Sequence, residues 1–127
     1  MSRTLMLVGF GGLLGSICRY LIAIFFTRHF SSVFPYGTFI VNIFGCLLIG
    51  IFYGLSEQFD WFTPSWRIFL ATGFCGGFTT FSSFAYENIN LLQTSEYLMF
   101  ATYSIGSFVL GLLSAFAGVV LVKMIAS

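Results

Sequence analysis

The chain is expected to be an all-α membrane protein of four transmembrane helices, and three features of its sequence lead there. Of its 127 residues 58% are hydrophobic and only 7% charged, a balance that a soluble domain cannot cover with a polar surface. Apolar runs long enough for a helix of about 20 residues to cross a bilayer can be drawn four times, at residues 4–27, 37–55, 66–92 and 98–124. The connections "RHFSSVFP", "SEQFDWFTPS" and "QTSEY" hold both prolines and four of the nine charged residues, and are too short for a second domain. A single four-helix transmembrane domain over residues 1–127 is the expected organisation.

The first segment starts behind Arg3 like a signal peptide, but it outruns an h-region of about 7–15 residues and carries Arg19 inside it, so a retained helix is expected. Gly11 and Gly15, and Gly12 and Ser16, recur at the spacing that lets helix backbones approach closely. Arg19 continues that face, where it can snorkel to the interface or attract anions.

In the second segment Asn42, Cys46, Gly50 and Gly54 recur every four residues, a small-residue stripe headed by an amide. An asparagine at membrane depth either bridges helices or offers its N–H groups to something that passes.

The third segment contains "GGFTTFSSFAYEN", Gly76 to Asn88. Gly76 and Gly77 followed by Thr79, Thr80, Ser82 and Ser83 make poor continuous helix, and a break near 76–80 is expected. Backbone groups freed at mid-membrane must face protein, water or ions, and carbonyls there suit a hard cation. Phe78, Phe81 and Phe84 recur every third residue. They are either packing residues or, edge-on, weakly positive surfaces for an anion. Glu87 follows one turn on, as a partner for a donor or part of an ion path.

In the fourth segment Tyr103, Ser107, Gly111, Ser114 and Gly118 share one face, a hydroxyl track that turns small. Cys18, Cys46 and Cys75 lack metal-ligand spacing and read as packing residues, and His29 as an interfacial loop residue. A net charge of +1 gives no footprint for nucleic acid, so partners belong in the membrane. With four spans Arg3, Arg67 and Lys123 fall on one face of the bilayer and Arg28 on the other. So weak a bias permits insertion in either direction, and with it an antiparallel homodimer.

The stretches "GGLLGSICRY", "GTFIVNIFGC" and "GGFTTFSSF" resemble the signatures of the Fluc (CrcB) fluoride channels, over nearly the whole chain. The resemblance implies an antiparallel, dual-topology homodimer in the bacterial inner membrane, with two pores that pass fluoride passively out of the cytoplasm and confer fluoride resistance, without enzyme chemistry. It places Asn42, Phe81, Phe84, Ser83, Tyr103, Ser107 and Arg19 on the fluoride pathway. It also implies a structural sodium ion at the dimer axis, held by the backbone carbonyls of Gly76 and Thr79 from both subunits. Past Ser107 the next positions at four-residue spacing are Gly111 and Ala115, which leaves the continuation of the track open. The competing readings are a small multidrug-resistance-type, proton-coupled cation exporter and a non-transporting membrane subunit. An exporter of that kind needs a glutamate in its first helix, where this chain has Arg19.

Overall fold

A computed structural model describes residues 1–30 and 33–127; Ser31 and Ser32, in the first connection, lie outside the described residues. Among the described residues every regular element is helical. Helix α1 is Ser2–His29 and α2 Tyr36–Gln58. The third span opens with α3 (Pro64–Arg67), continues as a π-helical segment (Ile68–Cys75) and closes its first half with α4 (Gly76–Phe78). Its second half is α5 (Phe81–Gln93), and α6 (Tyr97–Ala126) completes the domain. Four segments are long and apolar enough to cross a membrane: Ser2–His29, Tyr36–Gln58, Pro64–Gln93 and Tyr97–Ala126. Each extends a few residues beyond the apolar run that predicts it, because interfacial polar residues continue a helix that the hydrocarbon requirement does not count.

The ends follow local chemistry. Arg28 and His29 in the last turn of α1 complement the negative end of its dipole. Pro64 opens α3, where its missing N–H costs nothing. The chain turns from α5 into α6 through Ser95 at φ 62°, with its N–H on the Leu92 carbonyl (3.2 Å) and that of Glu96 on Leu91 (2.8 Å).

Two seams hold the bundle. On the first, α1 meets the third span backbone to backbone. A Cβ added at Gly11 would run into the Phe69 carbonyl, and one at Gly15 into that of Phe74. Gly73 and Gly77 return the fit, with an added Cβ at 3.0 Å from Gly11 Cα and 2.6 Å from the Gly12 carbonyl respectively. The π-helical turn is wider than an α-turn and lies along this contact. On the second seam α2 packs along α6, the most extensive helix pair. There a Cβ at Gly50 would strike the Ala115 carbonyl, one at Gly54 would lie 2.9 Å from Val122 Cβ, and one at Gly118 would lie 2.5 Å from the Leu47 carbonyl. The small-residue faces of the sequence are therefore close helix contacts within one chain.

Candidate functional site

The third span breaks at Thr79 and Thr80, whose backbones are extended (φ −81°, ψ 156° and φ −150°, ψ 118°). The break falls inside the expected 76–80 window, but the glycines do not make it: Gly76 and Gly77 are helical, and the two threonines leave the helix. Thr80 starts the second half itself, its Oγ1 accepting the Ser83 N–H at 3.1 Å as an N-cap.

Asn42 fixes the break from α2. Its Nδ2 donates to the Thr80 carbonyl at 3.1 Å, and its Oδ1 accepts the Thr80 N–H at 2.9 Å. A backbone N–H and C=O at membrane depth are thereby satisfied by one side chain. An amide nitrogen carries two hydrogens, so one N–H of Asn42 remains beyond this clamp. Arg19 acts from α1, its Nε donating to the Gly77 carbonyl at 3.1 Å and placing positive charge at the carbonyl end of α4. Rather than snorkelling to the interface, the guanidinium reaches into the third span.

The carbonyls of Gly76 and Thr79 receive no hydrogen bond among the described residues. Gly76 is also open outward, with nothing within 4 Å of an added Cβ. Unpaired carbonyls at a helix end inside a bilayer fit a hard cation.

Beside the break lies a cleft of about 640 Å³ whose walls include Asn42, Thr79, Thr80, Phe81, Phe84 and Ser107. Ser107 Oγ is buried there without a hydrogen-bond partner. The phenylalanines divide. Phe78 is core packing, 2% exposed and stacked on Phe74 at 5.6 Å. Phe81 is 78% exposed, projecting from the chain 5.7 Å from Phe84. Phe84 in turn leans on Tyr103, ring centroids 4.9 Å apart.

Three expected pathway residues stand apart from the cleft walls. Arg19 is engaged by the Gly77 carbonyl, and Ser83 is half-buried with its backbone engaged by Thr80. Tyr103 is completely buried behind Phe84, where its hydroxyl donates to Glu87 Oε1 at 2.9 Å. Thr38 donates to the other oxygen, Oε2, also at 2.9 Å, so Glu87 joins the second, third and fourth spans. Ser107 is the member of the α6 hydroxyl track, apart from the buried Tyr103, that the structure sets in the cleft wall. Beyond it Gly111 faces Cys46, an added Cβ lying 3.4 Å from its Sγ, and Gly118 is pressed against α2.

Residue spacing alone missed the roles of Thr38, Thr80 and Ser104. Ser104 lines the cleft and donates to the buried Asn88 at 3.3 Å. It lies one turn before Ser107, a spacing that could have flagged it, and Thr80 sits where an N-cap belongs once the break is recognised.

Known proteins match the chain along almost its whole length. The family model described as "CrcB-like protein, Camphor Resistance (CrcB)" matches residues 6–119. A protein of Leptospira interrogans serogroup Icterohaemorrhagiae serovar copenhageni named fluoride-specific ion channel FluC is 45% identical over 122 residues, 96% of each chain. One of the same name from Flavobacterium psychrophilum is 43% identical over 121 residues, 95% of this chain and 98% of its own. Another, from Gloeothece citriformis, is 47% identical over 119 residues, 94% of this chain and 96% of its own.

Proposed function

The chain belongs to the CrcB family, and from that premise we propose that it is a fluoride-selective channel that lets fluoride leave the cytoplasm passively. The observation that carries this reading is the cleft at the break, where the unpartnered hydroxyl of Ser107 meets Asn42 and the rings of Phe81 and Phe84. Fluoride is small and strongly hydrated. A path for it replaces water with close donors, and sites that bind weakly allow it to leave again. The second N–H of Asn42 and the Ser107 hydroxyl are such donors, and ring edges carry only partial positive charge. Tyr103 serves this path indirectly, by backing Phe84 and holding Glu87. The exporter reading lacks its acid. No carboxylate occurs in α1, and Glu87 in the third span is held by Thr38 and Tyr103.

The active form in this reading is an antiparallel, dual-topology homodimer in the bacterial inner membrane. Support comes from the weak charge bias and from the outward exposure of Phe81 and Gly76 beside an open cleft. The carbonyls of Gly76 and Thr79 from two copies would together hold a structural sodium ion, whose chemistry is to neutralise unpaired acceptors in the bilayer. Exchange of sodium for N-methylglucamine during purification is expected to loosen the dimer, measured by gel filtration in detergent.

The deciding experiment is fluoride efflux from liposomes. Wild-type protein is expected to pass fluoride without a proton gradient and to reject chloride. Phe81→Ile is expected to slow efflux at least tenfold, because isoleucine lacks the ring quadrupole. Assembled Phe81→Ile protein with wild-type flux would place the anion elsewhere.

A further inference from the structure

A second pocket, remote from the break, lies between the beginnings of α1 and the third span. It has a volume of about 410 Å³ and is lined by Arg3, Leu7, Thr63, Ser65, Trp66 and Phe69. We infer that it holds the phosphate headgroup of an anionic phospholipid. The inference is independent of the fluoride reading.

Arg3 is in the first turn of α1, and Thr63 directly precedes α3, so the mouth of the pocket is at the ends of two spans, where a bilayer has its headgroups. Leu7 and Phe69 lie one turn further along the same spans, towards the hydrocarbon. Trp66, half exposed, occupies the interface level, where amphipathic rings are favoured. The pocket thus has a polar mouth and an apolar floor, the order of polarity along a phospholipid.

Arg3 has no hydrogen bond or ion pair among the described residues, and neither has the side-chain hydroxyl of Thr63 or Ser65. A guanidinium fork flanked by two hydroxyls is a donor set for phosphate oxygens. The neighbouring cation Arg67 is engaged with Ser56 Oγ at 3.1 Å. No carboxylate lines the pocket, so the ammonium of a choline or ethanolamine headgroup finds no counter-charge there, which favours a lipid of net negative charge. Free inorganic phosphate shares the mouth chemistry but leaves Leu7 and Phe69 uncovered.

Trp66 supplies the readout. The chain has two tryptophans, so a Trp61→Phe background leaves Trp66 as the sole tryptophan, excited selectively at the red edge beyond the absorption of the six tyrosines. Trp61 is exposed in the connection before α3, and this change leaves the pocket intact. In phosphatidylcholine vesicles, brominated phosphatidylglycerol is expected to quench Trp66 at least three times as effectively as brominated phosphatidylcholine at the same mole fraction. Arg3→Gln should bring the ratio to one, and Arg3→Lys should keep most of it. Arg3 is exposed, so neither change endangers the fold. Equal quenching by the two lipids, or an undiminished ratio in Arg3→Gln, overturns the proposal. Inorganic phosphate that relieves quenching at matched ionic strength also overturns it, by assigning the mouth to a soluble anion.

Discussion

Asn42 uses both ends of its amide on one residue, which makes its substitution informative. Asn42→Asp keeps the acceptor for the Thr80 N–H but turns a donor into a second acceptor facing the Thr80 carbonyl. Fluoride efflux is expected to fall at least tenfold, with a lowered melting temperature in detergent, because both the clamp and the anion path are affected. Phe81→Ile, by contrast, alters a ring that is 78% exposed and should leave the melting temperature of the chain unchanged. Tyr103→Phe retains every ring contact and removes only the donor to Glu87. Losing it is expected to cost about 1–3 kcal/mol, the range for a buried polar group that loses its partner, measured by thermal unfolding. Thr38→Val removes the other donor to the same carboxylate, so the double variant should depart from additivity.

At the scale of elements, the break and the seams make different demands. Thr80→Ala deletes the N-cap of α5 and is expected to destabilise by about 0.5–2 kcal/mol, while Thr80→Ser restores most of the loss. Gly50→Ala drives a methyl group into the Ala115 carbonyl on α6, and prising that seam open should cost about 1–3 kcal/mol. Gly106→Ala is its control, since the nearest atom to the added carbon is Phe39 Cε1 at 3.8 Å. Ser95 carries a left-handed backbone without being glycine. Ser95→Gly is therefore expected to raise the melting temperature slightly.

The whole molecule presents faces that one chain does not use. Gly76 has open space around it, so Gly76→Trp is compatible with the isolated fold; if Gly76 faces a second copy, the substitution should yield a folded monomer by gel filtration. Reporters fused to the C-terminus, one active only in the cytoplasm and one only outside it, should both give signal if insertion is dual. A population with every terminus on one side would remove the antiparallel dimer.

Length, composition and periodicity were enough to determine the four spans, because the hydrocarbon core imposes its length on any helix that crosses it. The break was legible too, since two glycines and four hydroxyl residues within residues 76–83 make a poor helix. The small-residue stripes were visible as stripes, but which spans they joined was decided by the packing: α1 with the third span, and α2 with α6. The sequence could not locate the break at Thr79 and Thr80, because glycine is permissive rather than an obligatory helix breaker: Gly77 stays helical with the α1 backbone against it, and Gly76 stays helical with open space around it. Nor could it tell that Asn42 serves Thr80, Arg19 serves Gly77 and Tyr103 serves Glu87. Each of these side chains lies far along the chain from its partner, and in a bilayer a polar group takes whichever partner folding brings within reach. Residue type and depth announced that a partner was needed, and only the tertiary arrangement could choose it.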